Sequence, residues 1–475
     1  MLLERIYDED LAQASYLLGC QATGEAVVVD ARRDIGVYLE LAAQHALRIV
    51  TVTETHIHAD FLSGTRELAH ATGAVIHVSD EGGPDWTYGP EFDTPAPAVR
   101  LRHGDQIRVG NLTLQAIHTP GHTPEHLSFL LTDGAQTDEP GFMLTGDFVF
   151  VGELGRPDLL DAAAGGVDTR FTGAKQLFQS LRERFLPLPD HVIVLPGHGS
   201  GSACGASLGA VPMTTVGYER RTAWWAPLLE AGDEEGFTAA LLRDQPDAHA
   251  YFARMKRQNR EGPAVLGTLP ALREHSAEDL QAAVDAGSAT LLDTRAHHEM
   301  HAGTLPGALH VPGLAKAASY GAWAIDPEQQ SPPLVLLAAD AAAAEALRNS
   351  LLRVGIDTAA GWIPSLEGLA LNPVPTISPE ALPQAERAML LDLRSTAEHA
   401  EGHVPGAVNI PAGSVLWRQA ELPGPGDGPI IAYCRSGVRS AVASAALRRA
   451  GHDVIELQGS YLGWVAAQGH ELTSS

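Results

Sequence analysis

Cysteine is scarce in this chain: Cys20, Cys204 and Cys434 are the three in 475 residues, and they stand far apart. An odd count without framework spacing excludes a disulfide-stapled secreted scaffold and suits a reducing compartment. Basic residues are also few, 32 Lys and Arg against 58 Asp and Glu, for a formal charge of -26. Such a surface repels phosphate backbones, so no nucleic-acid partner is expected. The stretch Met1–Asp8 carries acids early, and no apolar run reaches the length of a membrane span. A cytoplasmic protein without a membrane partner is expected. What is plentiful is ordinary: 45% hydrophobic and 19% charged residues, in a chain long enough for two to four domains.

The first half alternates strand and helix patterns, with strands at Ser15–Cys20 and Ala26–Asp30, a helix over Ile35–Ala46 and another from Gly64. The β-branched run Leu47–Thr53 ends in Thr55-His56-Ile57-His58-Ala59-Asp60-Phe61. Leu112–Ile117 leads through a Pro-Gly loop to His122, Gly141–Gly146 ends at Asp147, and His191–Pro196 ends at His198. Four strands therefore end in imidazoles or carboxylates, the donors that borderline divalent metals take. This ordered set resembles the metallo-β-lactamase superfamily over residues 1 to about 255. The resemblance implies an αββα sandwich with its metal at the strand ends.

Members of that superfamily with two metals place a second histidine after the Asp60 position, where this chain has Phe61. A phenyl ring cannot ligate, so a second metal loses a ligand and gains an apolar wall, while His56, His122 and Asp147 still offer a one-metal set with open positions. Two imidazoles and one carboxylate suit mononuclear non-haem iron that activates oxygen. The stretches Thr55–Asp60, Thr119–Thr123 and Leu144–Asp147 look like those of persulfide dioxygenases. That resemblance implies one Fe(II) per chain on His56, His122 and Asp147, with His58, Asp60 and His198 around it steering ligands and substrate. Arg156, in Gly152–Asp158, is expected to be a scaffold or substrate-loop residue, and Cys204, just past His198, is a candidate to face the pocket. His77, His103, His118 and His126 are expected to be structural or exposed, and Cys20 to be core.

Beyond about Gly262 the chain repeats. Leu291–Arg295 recurs as Leu390–Arg394, and Leu305–Pro312 as Val404–Pro411, both at an offset of 99 (392 − 293 and 405 − 306). Each copy reads as a doubly wound α/β unit. In the second copy the strand Ile430–Tyr433 leads into Cys434-Arg435-Ser436-Gly437-Val438-Arg439, followed by a helix from Ala441 to Arg449. Backbone N–H groups at a helix start favour an anion, and two arginines add positive charge, which predicts a nucleophilic Cys434. With Asp392-x-Arg394 and Gly402–Ala407, this copy resembles a rhodanese domain, whose cysteine carries a persulfide. In the first copy Ala338 stands at the cysteine position, followed by Ala339-Asp340, so that copy is expected to be catalytically dead.

The whole resembles fusions of a persulfide dioxygenase (1–262) with a degenerate (263–372) and then an active rhodanese domain (373–475). The resemblance implies oxidation of small-molecule or protein persulfides by O2 to sulfite, formation of thiosulfate at Cys434, sulfide detoxification, and a homo-oligomer, a dimer or tetramer. Two rival readings stand beside it: a glyoxalase-II-like zinc thioesterase, and a sulfur carrier or sensor whose metal is structural.

Overall fold

The structure is a computed structural model and describes residues 1–159, 161, 169–206, 208–385 and 387–469; residues 470–475, the end of the third expected domain, lie outside these. The chain divides into two units: Met1–Ala248 with Phe252–Leu269, and His249–Tyr251 with Pro270–Ser475. Among the described residues no helix is long and apolar enough to cross a membrane.

The first unit stacks two six-stranded sheets. One runs in order β1 (Leu2–Asp8), β2 (Gln13–Cys20), β3 (Glu25–Val29), β4 (Arg48–Thr53), β5 (Val75–Ser79), β6 (Val99–Leu101). The other contains β7 (Gln106–Val109), β8 (Leu112–His118), β9 (Leu127–Asp133), β10 (Phe142–Gly146), β11 (Ile193–Pro196) and β12 (Thr214–Thr215), again in chain order. Strand β2 is buried along its whole length because both of its faces are covered. Its even-numbered residues Ala14, Tyr16, Leu18 and Cys20 join Leu114, Phe129 and Leu144 of the other sheet in the core between the sheets. Its odd-numbered Leu17 faces the outer core instead, with Tyr38 and Leu68 from the helices Gly36–Gln44 and Thr65–Thr72. A third core packs Leu177 and Phe178 of the helix Thr169–Ser180 on the far face of the second sheet. Helix, sheet, sheet and helix layers result, and each fully buried large apolar side chain contributes roughly 1.5–3 kcal/mol.

The second unit holds two five-stranded parallel sheets: β13 (Arg273–Glu274), β17 (Ala359–Ile363), β16 (Leu334–Leu337), β14 (Thr290–Asp293), β15 (Leu309–His310); and β18 (Thr376–Ile377), β22 (Val454–Leu457), β21 (Ile430–Tyr433), β19 (Met389–Asp392), β20 (Val408–Asn409). Both have the order 1-5-4-2-3 when numbered within their own copy, so the sequence repeat is a repeat of topology. Asp293 and Asp392 hold Arg295 and Arg394 in matching ion pairs, at 2.5 and 2.7 Å. The recurring Asp-x-Arg is therefore a structural clasp in each copy, whatever the chemistry of that copy.

Candidate metal centre and cysteine loop

The loops after β4, β8, β10 and β11 bring the expected strand-end residues to one buried place. His56, His122 and Asp147 each offer a donor atom within 4.8 Å of the others, and Asp60, His198 and Cys204 form a second such group. Asp147 Oδ2 lies 3.5 Å from His122 Nε2 and 3.9 Å from His56 Nε2. His198 Nε2 is 3.5 Å from Asp147 Oδ1 and 3.4 Å from Asp60 Oδ2.

Hydrogen bonds fix which nitrogen of each ring stays bare. His122 Nδ1 donates to the Arg156 carbonyl at 2.9 Å, and His198 Nδ1 to the Ala12 carbonyl at 3.0 Å. The Thr55 hydroxyl donates to Asp30 Oδ2 at 3.0 Å, so it accepts from His56 Nδ1 at 2.9 Å. All three Nε2 lone pairs then face Asp147. Burial, with the neighbouring imidazoles, holds His56 well below the ordinary histidine range, and burial holds His122 below it too. Burial works to raise Asp147, but His198 and His122 overcome it and keep the carboxylate ionised. Neutral imidazoles and an ionised carboxylate are the forms that bind metal. Both Asp147 oxygens, Asp60 Oδ2 and His198 Nε2 are buried without a hydrogen-bond partner among the described residues. Orphaned acceptors in one cavity cost stability unless a cation satisfies them, so the residues present fit a metal.

Phe61 is fully buried and tilts against the His58 ring at 4.4 Å, so it forms apolar wall beside the donors. His58 Nε2 meets Asp30 at 3.1 Å. Burial opposes its charge, but Asp30, with Asp60 and Glu54, pushes its pKa up to about 9. Asp60 is itself raised by burial. The Arg156 guanidinium binds Asp158 and the carbonyls of Ala203 at 3.0 Å and Pro246 at 2.6 Å. Cys204 does face the centre, but burial, aided by Asp147 and Asp60, pushes its thiol well above its ordinary value. His77 and His103 stand apart from the centre, and His118 donates to the Pro124 carbonyl at 2.8 Å.

Further residues support the centre, among them His126, which the sequence marks as structural or exposed, and Gly146, Asn259 and Asp30, which it does not single out. His126 Nε2 accepts the Asp147 N–H at 3.1 Å, and Gly146 permits it, since a Cβ there would come within 2.5 Å of Thr55 Oγ1. Asn259, on the helix Phe252–Glu261, donates to the carbonyls of His58 (2.8 Å) and Phe61 (2.7 Å) and accepts from the Ser63 N–H (2.9 Å). Asp30 ends a strand, which is the signal that marked Asp147. The Asp30–Thr55–His56 relay has a measurable consequence. Thr55→Val keeps the shape but removes the acceptor for His56 Nδ1–H, and metal affinity measured by competition with a chelator should fall about 10–100-fold.

In the second unit Cys434 is buried at the end of β21. Its Sγ accepts from Gly437 N–H at 3.2 Å, with Ser440 Oγ at 3.6 Å and Ser460 Oγ at 4.0 Å. Ser460 also accepts the Cys434 N–H at 3.2 Å, from a left-handed backbone at φ 54°. The helix begins at Val438, three residues before the expected Ala441, so Val438 and Arg439 belong to its first turn. Arg439 interacts electrostatically with Cys434, and it has a second partner. Its guanidinium binds Glu398 bidentately at 2.7 and 2.8 Å, while the Gly437 N–H and the two serines surround the sulfur and Arg435 and Ser436 are exposed. In the first copy Ala338 leads to Asp340, whose carboxylate caps the helix Ala341–Leu352 by accepting from Ala343 N–H at 2.8 Å. An internal carboxylate thus takes the anion position, and no thiol is present.

Burial works to raise Glu398, but Arg439 and the Ser395 N–H hold it down at about 2. A depressed carboxyl stabilises the fold above its unfolded pKa near 4.3 and loses that contribution as pH falls toward 2. With solvent screening of this partly exposed pair, about 1–2 kcal/mol is involved. Thermal melts of Glu398→Gln should therefore show a lower Tm than the parent at pH 7, with the gap closing toward pH 2.

The metallo-beta-lactamase superfamily profile matches residues 8–198, and the rhodanese-like domain profile matches 380–467. A crystal structure of a metallo-beta-lactamase from Staphylococcus aureus subsp. aureus COL is 36% identical, covering 77% of this chain and 99% of that one, with a TM-score of 0.64. The chain belongs to the metallo-β-lactamase superfamily. Its fold is that superfamily's αββα sandwich followed by two rhodanese-like α/β domains. The Uncharacterized protein ML0493 of Mycobacterium leprae is 31% identical over 231 residues, 45% of this chain and 92% of that protein. The human mitochondrial protein named persulfide dioxygenase ETHE1 is 28% identical over 206 residues, 42% of this chain and 68% of that protein. As a metallo-β-lactamase superfamily member, the chain presents its His/His/Asp donors from the strand-end loops of the sandwich.

Proposed function

We propose that the chain is a persulfide dioxygenase and sulfurtransferase with one Fe(II) on His56, His122 and Asp147. The observation that carries this is the donor set itself: two buried imidazoles and one buried carboxylate, with Phe61 walling the adjacent position. Distant likeness to persulfide dioxygenases supports the same reading. When bound, Fe(II) supplies O2 activation for the overall reaction R–S–S⁻ + O2 + H2O → R–SH + SO3²⁻ + H⁺. The chain's residues hold and orient. Thr55, Arg156 and Ala12 fix the ring tautomers, His126 and Gly146 position Asp147, and Asn259 pins the His58–Ser63 loop. In the second unit Cys434 carries sulfane sulfur in the Gly437, Ser440 and Ser460 cradle and delivers it to sulfite as thiosulfate. Anaerobic loading with Fe(II) should confer persulfide-dependent O2 uptake, whereas loading with Zn(II) should not.

The second donor group, Asp60, His198 and Cys204, favours a different reading, a two-metal hydrolase of the thioesterase kind. Thioester hydrolysis by the Zn(II)-loaded chain without O2 uptake by the Fe(II)-loaded chain would select that reading instead.

A further inference from the structure

The two repeats of the second unit meet along one face of the short helix His297–Ala302. Met300 is buried in one cluster with Val374 and with Ala441 of the helix that follows Cys434. His301 Nε2 lies 3.0 Å from Glu456 Oε2, and Arg448 holds the other oxygen of that buried carboxylate at 2.9 Å. His297 stands one turn before His301, on the same face. Its ring lies against Gly437, where an added Cβ would come within 3.1 Å of Nε2 and 3.2 Å of Cδ2. Gly437, at φ 110°, is the residue whose N–H reaches Cys434 Sγ at 3.2 Å. The copy without a cysteine therefore lends an imidazole to the loop of the copy that has one.

Nothing in the repeated fold demands a histidine there. The equivalent residue of the second copy, 99 positions on (396 − 297), is Thr396. Nor is the His297 ring occupied, for it has no hydrogen-bond partner among the described residues and is only half-buried. Burial and the adjacent His301 and His298 keep the imidazole neutral, so one of its nitrogens carries a hydrogen to donate. The Gly437 N–H is aimed at the sulfur, and Arg439 is held by Glu398. An outer sulfur would sit about 2 Å beyond Sγ, with its acceptor beyond that again. The oxygens of an anionic acceptor need donors beyond that N–H, which exposed Arg435 of the loop and His297 of the other repeat can supply.

We propose that His297 is an acceptor-binding residue for sulfur transfer at Cys434, donating a hydrogen bond to an oxyanion of the sulfite class. This rests on reading Cys434 as a sulfur carrier. The lone pair on the sulfite sulfur attacks the outer sulfur of Cys434–S–S⁻. The S–S bond breaks, its electron pair returns to Sγ as thiolate, and thiosulfate leaves. Total charge is conserved and no further oxidant enters. The cysteine-free repeat then serves as a wall of the acceptor site, beyond holding the fold together.

The test uses the full chain under anaerobic conditions, with Cys434 charged from inorganic polysulfide and the charge verified by mass spectrometry. Discharge is then followed with sulfite and, separately, with neutral 2-mercaptoethanol. For His297→Ala the sulfite concentration giving half-maximal discharge should rise about tenfold, with the saturating rate and the thiol-driven rate within about twofold of the parent. His297→Gln keeps an N–H donor and should recover most of the loss. Equal losses with both acceptors would mark a merely structural wall and overturn the proposal, as would no loss with either. If the parent Cys434 takes up no sulfur, the sulfur-carrier reading itself fails; if it charges but the variants do not discriminate, only the role of His297 fails.

Discussion

His122→Ala should reduce persulfide-dependent O2 uptake by more than about 100-fold, because a lost ligand costs more than a lost outer partner. Of the three donors, His122 is the one supplied by the β8–β9 connection, and its tautomer is set by the Arg156 carbonyl. Alanine leaves His56 and Asp147 as the remaining pair and exposes a buried carboxylate to an incomplete shell. Sulfur transfer from thiosulfate to cyanide depends on the second unit and should stay within about twofold of the parent. An oxygen electrode and a thiocyanate assay on one preparation separate the two. Surviving O2 uptake would remove His122 from the ligand set.

The reciprocal change is Cys434→Ser. Serine preserves the size of the side chain in its cradle of Gly437, Ser440 and Ser460 but is far the weaker nucleophile at neutral pH. Thiosulfate-to-cyanide transfer should fall at least about 10³-fold. O2 uptake with a small-molecule persulfide should stay within about twofold, while the product moves from thiosulfate to free sulfite. Chromatography of the oxyanions reads this directly. Unchanged thiosulfate yield would mean that sulfite meets its sulfur elsewhere.

The strand-end donor residues were legible because each follows a β-branched or apolar run and belongs to a residue type that seldom ends a buried strand without purpose. The repeat was legible because two motifs recur at one offset. What escaped were residues acting through partners remote in the chain. Asn259 reaches the His58 carbonyl across 201 residues, and Asp30 acts on Thr55 across 25. The second partner of Arg439 escaped for the same reason: its charge is visible in the sequence, but Glu398, 41 residues upstream, is not visible as its ion-pair partner. The helix start at Val438 escaped because Gly437 in a left-handed conformation ends the loop earlier than the alanine-rich run suggests. His297 carried no motif at all, and only the docking of one repeat on the other sets its ring against Gly437 of the Cys434 loop.

The most direct test of the central claim is the O2 and product balance when a small-molecule persulfide is added to Fe(II)-loaded chain. The account predicts one O2 consumed per persulfide oxidised, with sulfite and thiosulfate together accounting for the oxidised sulfur. Persulfide turnover without O2 uptake, or thioester cleavage as the only activity, would contradict it.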